Sequence, residues 1–251
     1  KLPFALLAAA TVAMSLVALH PPHQLSPLGK IAVSAYSLSF YLWKLIVPVN
    51  LSPLYEMPQR VDPLGGAFIA SYGAVIAFSV LAWAARRRWP GATAAWVAFV
   101  VVSLPMLGVV QNGPQIAADR YTYHASPALA IAAGAALFLL RRPLSFSLSR
   151  GVCAAVILLC LGALTWSQTG IWHDSGRLWA RALAIDSESS IAHSAWAVLL
   201  LKQDKVDEAI EHSLRSLSIA PEFAEAHNDL GVGLARQGKL TEAVEQYRRA
   251  L

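Results

Sequence analysis

Long uncharged runs alternate with short charged or proline-rich intervals over the first two-thirds of the chain, and near residue 173 the pattern changes to one dense in charge. Five runs are candidates for crossing a bilayer, which takes about 20 residues of α-helix: residues 2–19, 66–85, 91–110, 126–140 and 152–166. The fourth reaches that length only if its helix extends back through the Tyr121 region. A secretory signal peptide is the alternative for the first, with Lys1 closing a basic region, but His-Pro-Pro-His follows Leu19 and offers no small-residue cleavage site. One apolar stretch, residues 31–48, has a different rhythm. Ser34, Ser37, Tyr41 and Lys44 fall 3, 4 and 3 residues apart on one helical face, and Ile31, Ala35, Leu38, Leu42 and Leu45 line another. That spacing predicts an amphipathic helix in the membrane interface. An ordinary bundle helix with a snorkelling Lys44 is the alternative.

From Arg181 the chain repeats itself at a spacing of 34 residues, with RALAIDSESSIAHSAWAVLLLKQDKVDEAIEHS followed by RSLSIAPEFAEAHNDLGVGLARQGKLTEAVEQY and a restart at Arg249. Ala192/Ala226, His193/His227, Leu200/Leu234, Lys205/Lys239, Glu208/Glu242 and Ala209/Ala243 match in register. This is the tetratricopeptide pattern. Its expected packing positions are Ala197 and Gly231, small enough for two helices to approach; Ala209 and Ala243 at the same crossing; Leu230 and Tyr247 beside them; and Pro221, which ends one repeat before the next. Trp196 and Ser213 depart from the pattern, standing where the second repeat has Leu230 and Tyr247. Upstream, SGRLWARALAID has the character of the second helix of a degenerate repeat. The expected organisation is therefore all-α: a polytopic helical membrane domain over residues 1–168, then a tetratricopeptide α-solenoid over 169–251. The solenoid divides into a degenerate helix at 174–186, a repeat at 190–223 and a truncated repeat at 224–251. Such an array binds protein or peptide on its concave face rather than performing chemistry.

Composition supports the membrane half. Residues are 56% hydrophobic and 14% charged, against roughly 25% charged in soluble domains, and the deficit lies before the repeats. The net charge of +5 owes much to short arginine clusters beside apolar runs. These suit anionic lipid head groups, and with no basic stripe interleaved with aromatics, nucleic acid is not an expected partner. Arg86, Arg87 and Arg88 follow the second run, and Arg141, Arg142 and Arg150 separate the fourth from the fifth. By the excess of Lys and Arg in cytoplasmic loops, both clusters face inward. The loop Ala-Asp-Arg-Tyr-Thr-Tyr-His at 118–124 and everything after Trp166 then face outward, in a multi-pass protein of the cytoplasmic (inner) membrane. A chain that opens on Lys1 and stops at Leu251, inside a repeat, reads as an internal piece of a longer protein.

Three stretches carry a resemblance: YLWKLIVPVNLSPLYEMP at 41–58, PMLGVVQNGPQIAADRYTYHASPALAIAAG at 105–134, and WSQTGIWHDSGRLWARALAID at 166–186 leading into the repeats. Through nearly its whole length the chain resembles the bacterial relatives of the transmembrane-and-TPR protein O-mannosyltransferases, integral-membrane glycosyltransferases of the GT-C fold. The resemblance implies the C-terminal part of such a fold, a sugar donor linked to polyprenyl phosphate, a protein or peptide acceptor, and no further cofactor. It also implies a catalytic carboxylate in the first outward loop, upstream of residue 1.

At the outer interface a departing polyprenyl phosphate gains negative charge, and a fixed cation beside it stabilises the transition state. Arg120 is the foremost candidate, since its planar fork matches phosphate oxygens. Asp119 is a candidate for orienting Arg120, Tyr121 and Tyr123 for hydrogen-bonding the sugar or joining the aromatic belt, and Lys44 for a second cation at the same depth. The plainer alternative pairs Arg120 with Asp119 as an anchor of the helix end. His124 reads as an interfacial hydrogen-bonder rather than a base. Cys153 and Cys160 lie i and i+7 within the fifth run, about 10 Å apart along a helix, too far for a disulfide. His20 and His23 have no third ligand nearby, so no metal site is expected. Glu56 and Arg60 sit in a proline-rich loop as solvated charges, and Asn50-Leu51-Ser52 is an acceptor sequon. Two rival functions remain: a membrane-tethered repeat scaffold without activity, and an O-antigen-ligase-like enzyme.

Overall fold

A computed structural model describes residues 14, 25–58, 60–107, 115–139 and 147–251. The first predicted span (apart from Met14), His20, His23, Arg141 and Arg142 lie outside the described residues. Among the described residues the chain is all-α, with one two-stranded sheet. It divides into two compact units, residues 1–141 and 142–251.

The first unit holds α1 (Pro27–Ile46), β1 (Tyr55–Glu56), α2 (Gly66–Ala85), α3 (Pro90–Ser103), β2 (Gln115–Ala117) and α4 (Thr122–Leu139). Ser26 caps α1, its Oγ accepting from the Gly29 amide at 3.1 Å, and Pro27 occupies the first turn where its missing N–H costs nothing. Val33, Leu38, Tyr41 and Leu42 of α1 enter a core with Phe68, Phe99 and Ile116. An interfacial helix turns its polar stripe to water; α1 turns Ser37, Tyr41 and Lys44 inward and leaves Leu28, Ile31, Trp43 and Ile46 exposed. Ser37 Oγ donates to the Ile116 carbonyl at 2.7 Å, so the stripe serves the neighbouring backbone rather than solvent.

Among the described residues α2 alone is long and apolar enough to cross a membrane. Its apolar side chains are largely exposed, Ile76 and Trp83 among them. The run at 91–110 forms a helix of only 14 residues. It tightens into a 3₁₀ turn at Leu104–Met106, because Pro105 has no amide to continue the helical ladder. The fourth run does extend backward: α4 begins at Thr122 and tolerates Pro127 within its first turns. Trp96 of α3 stacks on Phe78 and Phe99, with ring centroids 5.8 and 5.7 Å away, and Thr93 Oγ1 donates to the Ala82 carbonyl at 2.7 Å. The Phe78 and Ala82 contacts fasten α3 to α2.

The second unit is a succession of helices, α5 (Ser147–Thr169), α6 (Ser175–Ile185), α7 (Ser190–Lys202), α8 (Val206–Ile219), α9 (Ala224–Arg236) and α10 (Leu240–Arg249). Asp174 caps α6 and Ser189 caps α7. The 34-residue register recurs in three dimensions. Asp204 and Gly238, one register apart, both adopt positive φ (62° and 78°) at the turns α7–α8 and α9–α10. Ala197, Ala209, Leu230 and Ala243 are buried where consecutive helices cross. A Cβ at Gly231 would meet the Tyr247 ring at 2.6 Å, and one at Gly233 would meet Ile210 Cγ1 at 2.7 Å. Pro221 is exposed in the α8–α9 turn, and its carbonyl lies 2.9 Å from His227 Nε2.

The matched histidines do equivalent work in both repeats. His193 Nε2 meets the Ser187 carbonyl at 3.1 Å as His227 meets that of Pro221. On the other side His227 Nδ1 meets Gln246 Oε1 at 2.8 Å, whereas His193 Nδ1 meets His212 Nδ1 at 2.9 Å. Two imidazoles share that contact only while one nitrogen donates and the other accepts. Burial, and then the neighbouring His193, hold the His212 imidazole below its ordinary pKa, against the pull of Glu211 and Glu208. Folding thus favours neutral His212. The stability this lends is present above the ordinary histidine pKa, about 6.5, and is lost as pH falls through the lower folded-state value. The melting temperature of the unit should therefore drop between about pH 7.5 and about pH 5, and His212→Gln, which installs the second repeat's partner, should flatten that drop. Circular-dichroism melts of both forms across the range check it.

Candidate functional site at the β-ribbon

The polar stripe of α1 ends in Lys44, and the chain then turns back over it. Lys44 Nζ donates to the carbonyls of Val49 at 2.6 Å and Asn50 at 3.1 Å. It also lies 5.3 and 5.2 Å from the ring centroids of Phe40 and Tyr55, within cation–π range. The side chain is only 9% exposed. An ammonium so enclosed satisfies the backbone carbonyls of the turn, that of Asn50 together with the Tyr55 hydroxyl at 2.8 Å. Asn50 takes positive φ (50°) to make the turn, a conformation asparagine tolerates better than most residues.

Beyond the turn, β1 pairs antiparallel with β2, Tyr55 opposite Ala117 and Glu56 opposite Gln115. The pairing sets Asp119 and Arg120 against residues 52–55. Asp119 points into that seam: its Oδ2 accepts from the Ser52 amide at 2.6 Å and the Tyr55 hydroxyl at 3.0 Å. Its Oδ1 is buried without a partner among the described residues. Burial pushes the Asp119 carboxyl above its ordinary pKa, with the Ser52 and Tyr55 hydrogen bonds and the Lys44 charge pulling the other way. Thr122 Oγ1 donates to the Asp119 carbonyl at 2.7 Å and closes the turn into α4.

Arg120 points the other way. Its Nη1 donates to the Pro53 carbonyl at 2.8 Å, its guanidinium carbon lies 5.0 Å from the Tyr121 ring centroid, and the residue is exposed. Among the described residues no ion pair joins it to Asp119. Tyr121 Oη accepts from Gln115 Nε2 at 2.8 Å. The structure thus gathers Lys44, Asp119, Arg120 and Tyr121 around one ribbon, while Tyr123, 68% exposed, and His124 stand clear of it. Asp119 reaches Arg120 through the backbone: it holds Ser52, and the next carbonyl, that of Pro53, holds the guanidinium.

In the sequence Ser52 stands out only as the last residue of a sequon, and Pro53 and Tyr55 carry no site signal of their own. Strands of two and three residues are too short to show a period, and their partners lie about 60 residues away. Glu56, expected as a solvated charge, is half-buried in β1. Asp119→Ala removes the acceptor of a buried amide and is expected to destabilise the first unit by about 1–3 kcal/mol, read as a lower melting temperature in thermal unfolding. Chemically, the site offers an exposed guanidinium held at Nη1 by the Pro53 carbonyl and contacting the Tyr121 hydroxyl through Nη2 at 3.5 Å. No cluster of three or more His, Cys, Asp or Glu side chains able to hold a metal occurs among the described residues. No protein-family model matches the chain, and no curated protein matches it.

Proposed function

We propose that this chain is part of a membrane glycosyltransferase that moves a sugar from a polyprenyl-phosphate carrier to an extracytoplasmic protein or peptide. The observation that carries the reading is the Arg120 guanidinium, exposed yet fixed by the Pro53 carbonyl. In such a transfer the acceptor hydroxyl attacks the anomeric carbon, its proton passes to the upstream carboxylate that the resemblance implies, the bond from that carbon to the phosphate oxygen breaks, and its electron pair stays on the phosphate. A preplaced cation favours that charge without rearranging as it develops. Arg120 has the geometry for the role. Lys44, enclosed by two carbonyls, holds the loop instead, and Asp119 positions the loop. Tyr121 and exposed Tyr123 are placed for the sugar or the head-group layer. The helices from α6 onward act as a tetratricopeptide array that recruits the acceptor. No catalytic base is assigned among these residues.

Two measurements on the full-length protein test the reading. In a cysteine-free background, Tyr123→Cys and a cysteine at Ser218 should react with an impermeant thiol reagent in intact cells, and Arg87→Cys should not. The opposite pattern would invert the orientation and remove the outward site. Membranes carrying the protein should transfer radiolabelled hexose from polyprenyl phosphate to proteins and to a small soluble peptide. Deleting residues 190–251 should weaken the first transfer and spare the second. Membranes that transfer neither would favour the non-enzymatic scaffold.

A further inference from the structure

Away from the ribbon, an open apolar groove of about 720 Å³ runs between α3 and α4, walled by Gly91, Ala94 and Ala98 on one side and Ala128, Ile131 and Ala135 on the other. A second apolar hollow of about 630 Å³ lies among α1, α2, α3 and α4, lined by Leu42, Phe78 and Leu129. The two share Ala92, Ala132 and Ala133 in their linings, so they are adjoining lobes on either side of one short stretch of α3 and α4. From Gly91 to Ala98 the first lobe follows about 10 Å of helix. Each is large enough for a bound small molecule or lipid segment. Charge enters these linings at one place. Arg88 lines the first lobe beside Trp89 and Pro90 and forms no ion pair among the described residues. Arg86 is occupied differently: it stacks on Trp83 at 4.0 Å and donates to the Trp83 carbonyl.

We propose that this two-lobed groove holds an anionic diacyl phospholipid, one acyl chain in each lobe and the phosphate against Arg88. The proposal rests on the membrane reading above but concerns a different lipid and a different place from the sugar donor. A polyprenyl phosphate has one chain and would leave one lobe unfilled; two adjoining lobes, with one cation lining the first, four residues before the shared Ala92, match a glycerol backbone carrying two chains and one phosphate. Basic pockets between membrane helices bind such head groups on the cytoplasmic side, the side to which the arginine cluster is assigned.

The test uses the full-length protein in nanodiscs of equal phosphatidylglycerol and phosphatidylcholine, with retained lipid counted by native mass spectrometry after detergent transfer. Wild type should retain phosphatidylglycerol over phosphatidylcholine by on the order of tenfold, the scale of one charge-assisted contact. Arg88→Gln should bring the ratio close to parity. Ala133→Phe, at an exposed position of the shared lining, should strip both lipids while helix content is unchanged. Parity in wild type, or a preference that survives Arg88→Gln, would sink the proposal, as would displacement of phosphatidylglycerol by equimolar undecaprenyl phosphate. A chain that leaves cells without detergent would overturn the membrane reading and this proposal together; a detergent-requiring chain that retains no lipid would overturn this proposal alone.

Discussion

Arg120→Ala is expected to lower sugar transfer per folded molecule by roughly 30- to 1000-fold, with little change in melting temperature. The size follows from removing one charge-assisted contact to the departing phosphate in a partly dry site, about 2–4 kcal/mol of transition-state stabilisation. The thermal result follows from the structure: the guanidinium is exposed, donates to the Pro53 carbonyl and makes no ion pair with Asp119. Arg120→Lys should fall between, since a point charge still attracts phosphate but has no fork. Asp119→Ala separates the two roles. It frees the Ser52 amide and loosens the turn that offers the Pro53 carbonyl, so it should lower stability and activity together. The measurement is transferase activity of the full-length enzyme beside its melting curve. Full activity in well-folded Arg120→Ala would remove the phosphate role and leave the loop as a helix end.

The second large effect is in the repeats. A methyl group on Gly231 would sit 2.6 Å from Tyr247 Cε1 and 2.8 Å from Cδ1, and the ring is half-buried between helices. Forcing it aside costs about 1–3 kcal/mol, partly offset by about 1 kcal/mol of better helix propensity. Gly231→Ala should thus lose up to about 2 kcal/mol, a fall of up to roughly 15 °C in the melting temperature of a unit this size. The first repeat contains its own control. One register earlier, Ala197 stands for Gly231 and buried Ser213 for Tyr247. The small and large residues are exchanged together. Gly231→Ala combined with Tyr247→Ser should therefore be less destabilised than the sum of the single changes by about 1 kcal/mol or more, as expected of residues in contact. Strict additivity in a double-mutant cycle would show that the two positions do not constrain each other.

These cases mark what a single sequence discloses. The register of the second unit was open to reading because each repeat carries its own small residues and turns within 34 positions. The stripe Ser37, Tyr41, Lys44 was equally visible, but its direction was not. Whether polar groups face water or a neighbouring backbone depends on what packs against the helix, and the Ile116 carbonyl that receives Ser37 is 79 residues away. The ribbon was least visible. Arg120 drew attention by its charge, yet the groups that hold it, Pro53 and the Ser52–Asp119 bond, are ordinary loop residues whose pairing is wholly non-local. Apolar length proved a weak guide as well: the run at 91–110 has the composition of a span, and Pro105 cuts its helix short.

In the second unit the principal contacts after α6 join helices one or two places apart: α6 to α7, α7 to α8, α8 to α9, α9 to α10, and α7 to α9. Side-chain ties follow the same rule, with Ser194 reaching Asp229 and Arg236 reaching back to the Leu201 carbonyl. Pulled at its two ends, a succession so connected is expected to lengthen first by small rotations shared among its junctions. Force-extension of the isolated unit should begin with a soft, reversible rise before any helix is lost, and stiffening a single junction should shorten that rise in proportion.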